Sequence, residues 1–297
     1  MTPIAIAGMQ MSLSAVHDNV AYMRGRLDLL MHIYPWVEMV VFSELAAFGP
    51  SPRRAQKLPG PVEDEFREMA RRHGIWLLPG SVFEKTEDEK IYNTAMVIDP
   101  YGEVVGRYRK MFPFRPYEEG IEAGEEFLVF DVPGIARFGV SICYDMWFPE
   151  TSRTLAAMGA EVILHPSLTG TIDRSVELAI AQATAAQQQV FMFDINGAGD
   201  GGNGRSIVVG PYGDVLYQAG HSEEMIPIEI DIDRVRRSRE VGLRGLGQPL
   251  KSFRDRKVRF PVYGDNPQAR SHFKELGPLQ KPQRRPAAQL QKEPQRK

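Results

Sequence analysis

Short apolar runs, most of them ending in polar residues, recur along the chain and predict buried β-strands. They cover residues 4–9, 39–42, 75–84 (with a break), 92–98, 103–108, 126–132, 138–142, 162–164, 190–195, 205–209, 215–217 and 226–232. Between them, apolar side chains at helical spacing predict α-helices over residues 20–30, 66–73, 152–158 and 176–188. The two halves of the chain therefore have the same general order of elements.

Two of the strand pairs read as β-hairpins. Asp99-Pro100-Tyr101-Gly102 separates the first pair and Gly210-Pro211-Tyr212-Gly213 the second, and proline and glycine are typical turn residues. Strands mixed with helices and interrupted by antiparallel hairpins predict a two-sheet α/β sandwich rather than an all-parallel Rossmann sheet. No linker is evident before residue 262, so residues 1–262 are predicted to form a single domain.

The last part of the chain changes in composition. Residues 277–297 are rich in Pro, Gln, Lys and Arg and carry a net charge of +5. Residues 263–297 are therefore predicted to be a C-terminal extension that is flexible or packs on a neighbouring subunit. No aromatic residue lies between the charges of residues 277–297, which argues against a nucleic-acid-binding arm.

Composition and charge exclude several classes of protein. Of the 297 residues, 43% are apolar and 25% charged, and the net charge is −2, as in a soluble protein without a polyanionic partner. The single cysteine excludes an internal disulfide framework. No signal peptide and no membrane span is evident, so we expect a cytoplasmic protein that binds neither membrane nor nucleic acid. No His/Cys cluster and no phosphate-binding loop is present, so no metal and no cofactor are expected.

The only cysteine, Cys143, follows the apolar run 138–142 and precedes a helix pattern. A thiol at such a turn can lie near backbone N–H groups that lower its pKa and hold an oxyanion. The alternative is an inert buried cysteine, since free cysteine is among the most buried residue types. The local pattern leaves both interpretations open.

Two further ionisable residues, Glu44 and Lys110, also follow apolar strands. Strand ends on one edge of a sheet converge in space although they are distant in sequence. A carboxylate, an ammonium group and a thiol together can perform acyl transfer: the carboxylate moves the proton, the thiolate attacks a carbonyl, and the lysine stabilises the oxyanion. Each residue alone is more simply explained as solvated, but the set favours catalysis.

Three segments that contain these residues resemble the signature segments of the nitrilase (carbon–nitrogen hydrolase) superfamily, in order and in separation. They are Ser43-Glu44, Tyr108-Arg109-Lys110, and Ile142-Cys143-Tyr144-Asp145 with Phe148-Pro149-Glu150. The resemblance implies a four-layer α-β-β-α sandwich and a homodimer or a higher homo-oligomer. It also implies Glu44 as general base, Lys110 as oxyanion stabiliser and Cys143 as nucleophile.

The resemblance to the amidase branch implies a fourth catalytic residue, Glu118, which would orient the substrate amide or the attacking water. The neighbouring Glu119 is a competitor for that role, and a solvated acidic turn is the plainer alternative. Four further residues are predicted to bind the substrate: Tyr144, Trp147, His165 and Asn196. A structural role for His165 and a turn-forming role for Asn196 remain open.

The residues after the cysteine bear on the substrate. Tyr144-Asp145 stands where nitrilases usually have Trp-Glu, which favours an amide or an N-carbamoyl group. Met146 and Trp147 occupy the positions where many amino-acid carbamoylases have arginine, although Arg115 or Arg174 could still bind a substrate carboxylate. We therefore expect an amidase that releases ammonia through a thioester. The alternatives are an N-carbamoyl amidohydrolase and a catalytically silent metabolite-binding scaffold.

Overall fold

The computed structural model describes residues 1–264 and 271–282. The helices are α1 (Val20–Ile33), α2 (Pro61–His73), α3 (Pro149–Ala157), α4 (Arg174–Gln188), α5 (Asp233–Val241), α6 (Pro249–Arg254) and α7 (Ser271–Glu275). The strands of the first half are β1 (Pro3–Gln10), β2 (Ser12–Leu13), β3 (Met39–Phe42), β4 (Trp76–Leu78), β5 (Val82–Lys85), β6 (Ile91–Ile98), β7 (Val104–Arg109) and β8 (Ile121–Glu122). Those of the second half are β9 (Leu128–Val132), β10 (Ala136–Val140), β11 (Val162–Ser167), β12 (Phe191–Asn196), β13 (Ala198–Gly199), β14 (Ile207–Val209), β15 (Val215–Gln218) and β16 (Glu224–Asp231).

Contacts between Cα atoms divide the chain into two units. The first comprises residues 1–113 and 120–256, and the second comprises residues 114–119 and 257–297. The predicted boundary at residue 262 and the packing of the tail on a neighbouring subunit stay predictions. Residues 265–270 and 283–297, most of the predicted extension, lie outside the described residues.

The first unit contains two mixed β-sheets. One has the order β16-β1-β3-β4-β6-β5, with β7 and β8 also paired to β6, and the other has the order β15-β14-β12-β11-β10-β9. Strands β1, β3 and β4 run parallel, as do β10, β11 and β12. The two predicted hairpins are the antiparallel pairs β6–β7 and β14–β15.

Alternation of side chains along the strands produces the layers. In β1, Ile4 and Ile6 enter the core between the two sheets, whereas Ala7 and Met9 pack on the other side against α1 and α2. The outer face of the second sheet packs in the same way against α3 and α4. The predicted four-layer α-β-β-α sandwich is therefore confirmed, and burial of the strands on both faces explains their nearly continuous apolar sequences.

Local signals explain where the helices begin and end. Helix α2 begins five residues before the predicted start, because Pro61 at its first position has a backbone already suited to a helix. It ends at Gly74, whose φ of 64° is left-handed. Helix α5 was not predicted, because only Val235 and Ser238 of its nine residues are buried and the apolar periodicity is correspondingly weak.

Candidate active site

The three residues predicted to form a catalytic set all follow strands of the first unit. Glu44 lies two residues after β3, Lys110 directly follows β7, and Cys143 lies three residues after β10. Glu44 and Lys110 thus belong to one sheet and Cys143 to the other. The N–H of Glu44 donates to the carbonyl of Ser167 at the end of β11, at 3.2 Å, which joins the strand ends of the two sheets.

Glu44 and Lys110 form a buried ion pair. The Nζ of Lys110 lies 2.9 Å from Oε1 of Glu44, and their side chains are 1% and 3% exposed. The amide of Asn93, on the neighbouring strand β6, donates to the same oxygen at 2.8 Å. These donors fix the carboxylate and stabilise its charge in a site from which water is largely excluded. No role was predicted for Asn93, because only the tertiary fold brings it next to Glu44.

Cys143 has an unusual backbone conformation. Its φ is 47°, a left-handed value that is uncommon for a residue other than glycine. It opens a short 3-10 turn, Cys143–Trp147, which we call the Cys143 turn, and helix α3 follows directly at Pro149. Strained backbone of this kind persists only where the surroundings enforce it and is concentrated at functional sites.

The surroundings of the thiol raise its pKa. Burial raises the pKa of Cys143 well above 9, and the negative charge of Glu44 raises it further. Lys110 and a backbone hydrogen bond with Leu168 act in the opposite direction but do not outweigh these effects. The expected backbone hydrogen bond does lower the thiol pKa, but burial and Glu44 outweigh it, so the net shift is upward. A thiol in this state reacts by giving its proton to a base as it attacks, and Glu44 is a neighbouring carboxylate.

A buried polar network also lies next to the thiol. Thr169 Oγ1 is 4.0 Å from Cys143 Sγ and donates to Glu177 at 3.0 Å. Arg174 lies 3.2 Å from Glu177 and 2.8 Å from Asp194, and its side chain is 1% exposed. Arg174 is thus committed to two buried carboxylates, so it is not available to bind a substrate carboxylate. Sequence reasoning gave no role to Thr169, Glu177 or Asp194, because buried polar partners on different elements show no periodic signal.

Asn196 and His165 also lie close to the Cys143 strand end, but their hydrogen bonds go to the protein. The amide of Asn196 accepts from the N–H of Thr169 at 2.9 Å and donates to the carbonyl of the same residue at 3.0 Å. His165 Nδ1 lies 2.7 Å from Ser141 Oγ, and burial lowers the pKa of His165 to about 3. These contacts hold both side chains in place, and the predicted roles of His165 and Asn196 in substrate binding stay predictions.

Aromatic side chains surround the Cys143 turn. Tyr144 lies edge-on to Phe148, with ring centroids 5.3 Å apart, and 6.1 Å from Trp147. Phe148 stacks on Phe112 at 3.6 Å. All four rings are half-buried, so they can form an apolar wall beside the thiol. The predicted roles of Tyr144 and Trp147 in substrate binding stay predictions.

Glu118 lies in the second unit, in the short segment 114–119. Its N–H donates to the carbonyl of Phe114 at 2.9 Å, and the N–H of Phe114 donates back to its carboxylate. The first bond forms a backbone turn and the second fixes the carboxylate within it, so Glu118 is not a merely solvated acid. Arg115 and Glu119 belong to the same segment. The choice between Glu118 and Glu119 as the fourth catalytic residue stays a prediction.

Within residues 1–264 and 271–282, no group of three or more His, Cys, Asp or Glu side chains is placed to hold a metal ion. No helix in those ranges has the length and apolar character needed to cross a membrane.

A four-layer sandwich that brings a buried carboxylate–ammonium pair to one side of a thiol has the architecture of a cysteine hydrolase. The family model for carbon-nitrogen hydrolases matches residues 4–240, and the chain belongs to this family. The predicted superfamily is thereby confirmed, and the protein is an enzyme that hydrolyses carbon–nitrogen bonds.

Individual relatives include both amidases and a nitrilase. Omega-amidase NIT2-B of Xenopus laevis is 31% identical over 204 residues, which are 64% of this chain and 73% of that protein. A nitrilase of Pyrococcus abyssi is 31% identical over 213 residues, or 69% of this chain and 76% of that protein. The amidase of Nesterenkonia sp. AN1, solved as a cysteine-to-alanine mutant with butyramide, has a TM-score of 0.71 and 25% identity, with 80% of this chain and 94% of that chain covered. A further structure of that amidase shows acrylamide added to its active-site cysteine.

Proposed function

We propose that the protein is an amidase that releases ammonia from a small amide through a thioester on Cys143. The observation that carries this proposal is the buried Glu44–Lys110 pair, whose charges both act on the Cys143 thiol. A base, a cation and a nucleophile are thereby combined in one protected place. The amidases among the relatives support the same reaction class.

In the first half of the reaction, the raised thiol pKa requires a base. Glu44 takes the thiol proton while the sulfur attacks the amide carbon, and the carbonyl π electrons move onto oxygen. Lys110 stabilises that oxyanion by charge and hydrogen bonding. The oxyanion then reforms the carbonyl, the C–N bond breaks, and the nitrogen leaves as ammonia with the proton held by Glu44. The product is a thioester, and the chain carries Cys143 in acylated form.

In the second half, water replaces ammonia as the partner of Glu44. Glu44 takes one proton from the water, whose oxygen attacks the thioester carbon, and Lys110 again stabilises the oxyanion. The C–S bond breaks, the sulfur recovers the proton from Glu44, and the carboxylic acid leaves. Glu118 is proposed to orient the amide or the attacking water. Atoms balance as amide plus water giving acid plus ammonia, with no cofactor needed.

The substrate is proposed to be an uncharged small amide. The half-buried rings around the Cys143 turn offer apolar surface, and Arg174 is already neutralised by two carboxylates. Tyr144-Asp145 after the cysteine is the feature that favours an amide over a nitrile. A cytoplasmic location and a homo-oligomeric assembly are proposed alongside, and neither affects the chemistry described.

Ammonia release over a panel of aliphatic amides, carbamoyl amines and nitriles tests the proposal. We expect turnover of at least one aliphatic amide by the wild type and none above background by Cys143→Ala, with matching circular dichroism spectra. Because Cys143 is the only cysteine, alkylation should label one site per chain in the wild type and none in the variant.

Each of the other outcomes has a distinct meaning. Carbon dioxide released together with ammonia from carbamoyl amines alone would show an N-carbamoyl amidohydrolase. Turnover of nitriles alone would show a nitrilase. Wild-type amide turnover by a folded Cys143→Ala protein would refute the mechanism, and the absence of turnover across the panel would support a metabolite-binding scaffold.

A further inference from the structure

Asp145 is a fully buried carboxylate that the reaction described above does not use. It accepts three hydrogen bonds: from the hydroxyl of Tyr108 at 2.7 Å, from the N–H of Ile142 at 2.8 Å and from the N–H of Phe112 at 2.9 Å. The first two meet Oδ2 and the third meets Oδ1. Its side chain is 0% exposed, so these donors replace the water that a carboxylate would otherwise bind.

The three donors stand next to two of the residues in the proposed mechanism. Tyr108 precedes Lys110 by two residues and Phe112 follows it by two, while Ile142 directly precedes Cys143. The Asp145 carboxylate therefore binds the chain segment around Lys110 through Tyr108 and Phe112. It also binds the segment that leads into the Cys143 turn, through Ile142. Tyr108 belongs to β7 of the first sheet, whereas Asp145 belongs to the turn that ends β10 of the second.

We propose that Asp145 is a positioning residue that sets the placement of Lys110 relative to Cys143 across the two sheets. This inference rests on the proposed function for the roles of Lys110 and Cys143. The requirement for a carboxylate follows from hydrogen-bond chemistry: both oxygens accept, and neither can donate when ionised. An amide at this position offers one accepting oxygen and one donating nitrogen, so it cannot serve N–H groups on both sides.

The consequence for catalysis is large because reacting groups must be placed closely. A displacement of about 1 Å can cost about 10²-fold in rate even when every catalytic group is present. If Asp145 is replaced by asparagine, the amide NH₂ must face either the Phe112 N–H or the Ile142 N–H. Either arrangement releases one of the two segments. The carboxylate bond to the Tyr108 hydroxyl is less critical, since a hydroxyl can also accept from an amide.

The decisive experiment compares Asp145→Asn with two matched variants. Tyr108→Phe removes one donor but keeps both backbone N–H bonds. Glu63→Gln alters another nearly buried carboxylate, which is bound by Arg107 at 2.7 Å on the face of β7 opposite to Lys110. We expect kcat for an amide to fall about 10²-fold in Asp145→Asn, and by less than about tenfold in Tyr108→Phe. Glu63→Gln should keep the wild-type kcat.

Stability separates positioning from a purely structural role. Burial raises the pKa of Asp145 to about 6, so keeping this carboxylate ionised near neutral pH costs stability, and the amide removes that cost. In Asp145→Asn this gain offsets part of the cost of the backbone N–H that loses its acceptor, so the variant should stay folded at the assay temperature while kcat falls. A wild-type kcat in Asp145→Asn would overturn the inference, and so would an equal loss of kcat in Glu63→Gln.

A second readout needs no substrate. Lys110 lowers the pKa of the Cys143 thiol, so displacing or removing Lys110 should slow alkylation by iodoacetamide below the thiol pKa. Asp145→Asn should slow alkylation in the wild-type background and add little in a Lys110→Met background. Equal slowing in both backgrounds would show that Asp145 does not act through Lys110. This comparison decides the inference even if the wild type hydrolyses no amide, a result that would refute the proposed function alone.

Discussion

Replacing Lys110 with methionine tests how much the protein loses in stability when Glu44 stays buried without its partner. The Nζ–Oε1 distance of 2.9 Å and the exposures of 1% and 3% leave Glu44 with little access to water. Removing one partner of a buried pair costs about 3–5 kcal/mol, because the other charge stays in the interior. In a chain of this size that corresponds to a fall of roughly 10 °C in melting temperature. Glu44→Gln should also destabilise, since it leaves Lys110 charged.

The double variant, which combines Lys110→Met with Glu44→Gln, distinguishes a charge effect from lost packing. With both charges gone, no uncompensated ion remains, so the double variant should be more stable than the sum of the single losses predicts, by about 2 kcal/mol. All three variants should be inactive on amides.

Urea denaturation followed by tryptophan fluorescence is a suitable assay, because Trp76 stacks on Phe130 between the two sheets, with ring centroids 5.6 Å apart. If the unfolding free energy falls with urea concentration at the same slope in all variants, only stability has changed. Strictly additive losses, or a Lys110→Met protein as stable as the wild type, would refute this account of the pair.

Two further predictions concern the thiol and its neighbourhood. The rate of Cys143 alkylation should keep rising as the pH passes 9, because burial and Glu44 raise the thiol pKa above that value; a plateau reached below neutral pH would contradict the described surroundings. Gly80→Ala should destabilise the chain and abolish amide turnover, because the new Cβ would lie 1.8 Å from the carbonyl oxygen of Ser43, next to Glu44. Gly134→Ala is the control, since the φ of Gly134 is 76° and that of Gly80 is 79°, but no atom lies within 4 Å of the new Cβ at Gly134. Equal effects of the two changes on stability and turnover would rule out the clash.

Much of the fold could be predicted because buried strands carry a direct signal in the sequence. Central strands such as β1 and β3 are apolar on both faces, and polar residues at or directly after their ends mark where they stop. Glu44, Lys110 and Cys143 were recognisable for this reason, and the resemblance of their segments to one family reinforced the choice. The two hairpins were recognisable from turn residues that differ sharply from the flanking strands.

The remaining features of the site depend on contacts between distant elements. Thr169 and Asn93 are ordinary polar residues in the sequence, and only the packing of the sheets brings them to Cys143 and Glu44. The net rise of the thiol pKa was not predictable for the same reason, although the expected backbone hydrogen bond does lower it. A turn pattern indicates backbone N–H groups, but it contains no information on how deeply the sulfur is buried or on the carboxylate beside it.

The distribution of the site over two sheets also affects how the enzyme would be inactivated. Neither sheet carries a complete set of reactive groups, and the Glu44 N–H bond to Ser167 is one of the ties between them. Heat, pressure or a denaturant that loosened the contact between the sheets would separate Cys143 from Glu44 and Lys110 while each sheet kept its own hydrogen bonds. Enzymatic activity would then report on the contact between the two sheets. Activity would be lost before secondary structure.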